Sequence, residues 1–105
     1  MENKLDNLCM LYVEDEPEIL ENISFLFKRF AKTVLTALDG ESGLELYDAN
    51  KPNIVVVDLN LPKMDGFELI EKIREINSEI PIIIISAHNE EKHLKKAESL
   101  NISSY

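Results

Sequence analysis

The stretch Ile54-Val55-Val56-Val57-Asp58 constrains this chain most. Four β-branched apolar residues follow one another without a polar break, and a carboxylate ends the run. A half-exposed strand alternates apolar and polar side chains; a strand covered on both faces does not. The run therefore predicts a central strand with helices on both sides of its sheet. The next residues, Leu59-Asn60-Leu61-Pro62-Lys63-Met64-Asp65-Gly66, hold a proline and an Asp-Gly pair, which signal a turn. Asp58 is thus predicted at the carboxyl end of a central strand, where open α/β sheets receive their ligands. Taken alone, an Asp at such a place more often just starts a loop. Two other strand-like runs that end in polar or acidic residues shift the balance.

The first of these is Leu8-Cys9-Met10-Leu11-Tyr12-Val13, which runs directly into Glu14-Asp15-Glu16. Pro17 suits the first turn of a helix, where its missing N–H is not needed. The spacing predicts a helix over Pro17–Phe30 with Ile19, Ile23, Leu26 and Phe30 on its inner stripe and Leu20 and Phe27 beside it. Thr33–Ala37 reads as a second strand. Asp39-Gly40 turns the chain into a helix over Glu41–Ala49, with Leu44 and Tyr47 inward and Leu46 close by. After the Asp58 loop, a helix over Gly66–Ile76 carries Leu69, Ile73 and Ile76 as its stripe, joined by Phe67 and Ile70. Pro81–Ile85 is a fourth strand, fully apolar, ending at Ser86-Ala87. A charged helix over Asn89–Leu100 follows, with Leu94, Ala97 and Leu100 inward and with His88 and His93 solvated. Ser103-Ser104-Tyr105 begins a fifth strand. Strands alternating with helices give a parallel sheet with helices on both faces.

Length and charge narrow the function. The chain has 105 residues, enough for one domain. Twenty acids against 11 bases give a formal net charge of -9, which argues against binding nucleic acid or an anionic membrane and suits a cation. The lone Cys9 forms no internal disulfide and reads as a small core residue in a reducing, cytoplasmic setting. No run approaches the ~18 apolar residues of a membrane span, and the polar N-terminus does not resemble a signal peptide.

If the first, third and fourth strands are neighbours, Glu14, Asp15, Asp58 and Ser86 converge. Carboxylates this close raise a pKa or recruit a cation. Hard oxygen ligands favour Mg²⁺, and an ionised Asp is a nucleophile towards a phosphoryl group. A Ser hydroxyl would donate to a phosphoryl oxygen, although at a strand end Ser is equally a cap or turn residue. The acids at 14 and 15 also favour the nearby helix N-terminus, which is compatible with binding a metal.

These motifs resemble the receiver domain of two-component response regulators. The resemblance rests on Glu14-Asp15, Asp58, Leu61-Pro62-Lys63-Met64-Asp65-Gly66, Ser86-Ala87 and Asp39-Gly40-Glu41-Ser42-Gly43-Leu44-Glu45-Leu46, and it covers essentially the whole chain. It implies a doubly wound fold with strand order 2-1-3-4-5. It implies that Asp58 takes a phosphoryl group from the phosphohistidine of a sensor histidine kinase. Mg²⁺ would be held by Asp15, Asp58 and the backbone carbonyl of Asn60, with Glu14 reaching it through water. Ser86 and Tyr105 would be the switch residues, and a downstream effector protein or attached output domain would read the altered face. The domain would act as a switch and not as an enzyme on an external metabolite.

Glu14 departs mildly from the family, whose first acidic position varies between Asp and Glu. The family's Lys-Pro pair falls three residues beyond the position of Tyr105, so residues 1–105 are expected to be a receiver domain with its fifth strand incomplete and its fifth helix absent. The uncovered sheet edge would then favour a dimer. Two other functions fit the same residues. One is a phosphatase or phosphotransferase with an aspartyl nucleophile; haloacid-dehalogenase-like enzymes want a second Asp where Asn60 stands. The other is a receiver-like interaction module that is never phosphorylated.

Overall fold

The computed structural model describes residues 5–59, 61, 64–85, 95–96 and 98–102. Their elements alternate: β1 (Leu5–Val13), α1 (Pro17–Phe27), β2 (Ala31–Ala37), α2 (Gly40–Asn50), β3 (Ile54–Asp58), α3 (Gly66–Ile76) and β4 (Ile82–Ile85). The four strands form one parallel sheet in the order β2-β1-β3-β4. The α/β fold and the order 2-1-3-4 are those expected. The expected start of a fifth strand at 103–105 lies outside the described residues. So do His88, His93 and most of the helix predicted over Asn89–Leu100; residues 95–96 and 98–99 are helical.

Each strand divides its side chains between two cores, because successive side chains point to opposite faces. Leu11, Val13, Val55, Val57, Ile82 and Ile84 join Tyr47 of α2 and Leu69, Ile70 and Ile73 of α3. Met10, Tyr12 and Val56 join Leu20 of α1 on the other face, with Ile23, Phe27 and Ile83 partly buried around them. The chain winds one way from β1 to β2 and the other way from β2 to β4. With right-handed crossovers, that reversal puts α1 on one face and α2 and α3 on the other.

The helices begin within one residue of where the sequence predicts, α2 at Gly40 instead of Glu41. Asp39 caps α2, its Oδ1 accepting from the Ser42 N–H at 2.8 Å, and Asp65 caps α3 through the Glu68 N–H at 2.9 Å. Pro17 opens α1. Asn53 fixes the start of β3 against β1: its side-chain oxygen accepts from the Cys9 N–H and its own N–H donates to the Cys9 carbonyl, each at 2.7 Å. Cys9 itself is only half-buried.

Three predicted packing surfaces are corrected. Helix α1 ends at Phe27 instead of Phe30, and it buries Leu20 and Ser24. Ile19, Leu26 and Phe30 of the predicted stripe are 41%, 50% and 42% exposed. The helix packs chiefly on β1 and β2, with Phe27 edge-on to Tyr12 at 5.3 Å, so only the side turned to those strands is covered. Ser24 is buried at no cost in hydrogen bonding, since its hydroxyl donates to the Glu21 carbonyl at 3.1 Å. At the end of α3, Ile76 is open to solvent, while Leu69, Ile70 and Ile73 are in the core as expected. In β4, Ile82 and Ile84 are buried on the α3 side, but Ile85 is exposed on the other.

Candidate functional site

Strand register brings the acids together. Val13 pairs with Val57, so Glu14 and Asp58, each the next residue along, stand side by side at neighbouring strand ends. The Glu14 N–H donates to the Ala37 carbonyl at 3.0 Å, which fixes the chain as it leaves β1. This is also where the winding reverses, the crevice in which doubly wound sheets hold ligands. Glu14, Asp15 and Asp58 each offer a carboxylate oxygen, all within 4.8 Å of one another.

Glu14 is the deepest of the three at 4% exposure. Its Oε2 accepts from the Glu16 N–H at 3.2 Å. Burial pushes its carboxyl up to about 7; the Glu16 N–H works against that rise, and the Asp58 and Asp15 carboxyls add to it. The cluster therefore gathers negative charge without enough positive charge to ionise fully at neutral pH. A divalent cation held by hard oxygens fits such a donor set.

Two neighbours escaped the sequence analysis. Tyr12 reads as a core aromatic, and it is one. Its phenol is also pushed up to about 12, by burial first and then by the charges of Glu14 and Asp58. The available signal was its position two residues before Glu14, which puts both on one face of an extended chain. Gly66 is the second: the sequence marks it as part of a turn but not for its close packing. A Cβ there would lie 2.7 Å from both the Asp58 carbonyl oxygen and the Leu59 Cα, and the Gly66 N–H donates to the Leu59 carbonyl at 3.0 Å. Only glycine lets α3 start directly beneath the Asp58 loop. Asn60, Ser86 and Tyr105 lie outside the described residues.

Comparison with known proteins agrees with this arrangement. The family model for the response regulator receiver domain matches residues 10–105. The chain belongs to that family. Over 85 residues it is 35% identical to the alkaline phosphatase synthesis transcriptional regulatory protein PhoP of Bacillus subtilis, covering 81% of this chain and 35% of that protein. It is 42% identical over 72 residues to the chemotaxis protein CheY of Treponema pallidum, covering 67% of this chain and 50% of that one. The solved CheX–CheY–BeF3–Mg²⁺ complex from Borrelia burgdorferi superposes with a TM-score of 0.84 at 26% identity, covering 91% of this chain and 74% of that one. The receiver domain thus spans about a third of a regulator such as PhoP. Receiver domains are signalling switches that bind Mg²⁺ at an acidic pocket and interact with histidine kinases and with effector or output domains. Among the described residues, no helix is long and apolar enough to cross a membrane.

Proposed function

We propose that this receiver domain, spanning residues 1–105, is phosphorylated on Asp58 by a histidine kinase and that the phosphorylated form presents an altered face to an effector or output domain. The observation that carries this reading is the convergence of Glu14, Asp15 and Asp58 within 4.8 Å. Such a cluster is what a phospho-accepting carboxylate and its metal require.

In this reading an Asp58 oxygen attacks the phosphorus of the donor's phosphohistidine. The P–N bond breaks, and its electron pair leaves on the imidazole nitrogen. Asp15, Asp58 and the Asn60 backbone carbonyl would hold Mg²⁺ directly, with Glu14 holding one of its waters. The ion supplies positive charge against the phosphoryl oxygens. Glu14 is kept in place by the Glu16 N–H, and the backbone just after Asp58 is held where the Leu59 carbonyl accepts from the Gly66 N–H. Ser86 would donate to a phosphoryl oxygen and draw its loop inward, and Tyr105 would fill the space left behind.

Acetyl phosphate with Mg²⁺ tests the reading. The expected product carries one phosphoryl group, labile to hydroxylamine, and Asp58→Asn carries none. Equal modification of that variant by mass spectrometry would remove Asp58 as the acceptor.

A further inference from the structure

Helix α3 touches the Asp58 loop at one end and a different part of the chain at the other. Gly66 lies against the Asp58 carbonyl. About two turns later, the Arg74 guanidinium reaches out of the helix to three carbonyls. Its Nε donates to Leu100 at 2.7 Å, its Nη2 to Asn101 at 2.9 Å and its Nη1 to Asn77 at 3.2 Å. Leu100 and Asn101 close a helical turn, with the Asn101 N–H bonded to the Glu98 carbonyl and Asn101 at φ 57. The last carbonyls of a helical turn have no partner within it. Arg74 supplies that partner, and its planar fork suits several oxygens at once.

A second, weaker tie lies on the same face of α3. Lys96 pairs with Glu71 at 3.1 Å and sits 5.7 Å from the centre of the Phe67 ring. Phe67, Glu71 and Arg74 are spaced four and three residues apart, which stacks them along one side of the helix. The Lys96–Glu71 pair is half exposed at each end and is screened by salt. Arg74 is half-buried. Leu100 and Ile102 also pack against the α2–α3 core, and Arg74 fixes where along α3 they do so.

We propose that Arg74 is a pin that fixes residues 98–102 to α3, making this helix a rigid link between the Asp58 loop and that segment. A change in the backbone beneath Asp58 then moves the pinned segment together with α3. The link to the phosphorylated state rests on the function proposed above; the pin itself does not.

Hydrogen exchange followed by mass spectrometry tests both parts, on the protein, on Arg74→Met, and on Arg74→Lys, which keeps the stem and charge but loses the fork. Without ligand, both variants should exchange about tenfold faster or more at 98–102, the scale of one lost charge-assisted hydrogen bond, with β1 and β3 unchanged. With beryllium fluoride and Mg²⁺, protection at 98–102 should change in the wild type, while Arg74→Met should bind the ligand equally well by ¹⁹F NMR and leave 98–102 unresponsive. Unchanged exchange at 98–102 in the unliganded variants overturns the pin. A full response to beryllium fluoride in Arg74→Met overturns the link. A wild type that does not bind beryllium fluoride overturns the proposed phosphorylation, and the unliganded comparison then still decides the pin.

Discussion

Replacing Glu14 by Gln should make the metal-free protein more stable at neutral pH, even though it damages the proposed site. Glu14 is buried beside two other carboxylates, and its carboxyl is raised from 4.5 to about 7. Ionising it in the folded state therefore costs on the order of 3 kcal/mol more than in the unfolded chain. Between pH 4.5 and 7 the folded protein keeps a proton that the unfolded protein releases. The stabilisation from that proton is complete below about pH 4.5 and is lost as pH rises through about 7. Gln keeps the length and the acceptor for the Glu16 N–H but carries no charge. Part of the gain is offset because the amide brings two N–H donors into a buried position, and a donor left without an acceptor there is costly. The expected net gain at pH 8 is roughly 1–3 kcal/mol, and near pH 4.5 the two proteins should match within about 0.5 kcal/mol. Urea unfolding in EDTA at several values between pH 4.5 and 8 measures this. Saturating Mg²⁺ should shrink or reverse the gain, since binding to the native wild type restores its stability. A Gln variant no more stable than wild type at pH 8 in EDTA would show that the Glu14 charge is already compensated.

Other substitutions separate the site from its scaffold. Asp15→Asn should weaken Mg²⁺ binding by calorimetry about tenfold or more, the scale of one lost charged ligand, with little change in melting temperature. Gly66→Ala should destabilise by about 1–3 kcal/mol, because its methyl meets backbone on two sides and the strain outweighs the fraction of a kcal/mol in helix propensity that Ala gains; thermal unfolding checks the sign. Ile73→Ala, in the core with no exposed surface, should cost about 2–5 kcal/mol. Phe25→Ser, at a position 67% exposed, should stay within about 0.5 kcal/mol.

The stripe of α1 shows where sequence reasoning reached its limit. Ile19, Ile23 and Leu26 do share a helical face, with Phe30 past the helix end, but burial centres on Leu20, Ile23, Ser24 and Phe27. Periodicity reports which side chains share a face; the sheet beneath a helix decides how much of that face is covered. Ile76, at the end of α3, is apolar and exposed for the same reason. Tyr12 was legible as core; its place two residues before Glu14 was the one local sign of the site, and the charge added by Asp58 comes from another strand.

The sequence by itself determined the alternation of strands and helices, the Asp-Gly turns at Asp39 and Asp65 that lead into α2 and α3, and the placing of each acid at the end of an apolar run. Those features are local: they depend on side-chain period, turn chemistry and the reach of a few residues. It also marked Gly66 as part of a turn. Only the tertiary structure decided that Glu14 stands beside Asp58, because that depends on β1 pairing with β3 in one particular register. The tight approach of Gly66 to the Asp58 carbonyl and the reach of Arg74 to Leu100 and Asn101 are likewise decided by packing. Contacts between residues distant in the chain are fixed by strand order and helix placement, and no local pattern encodes their distances.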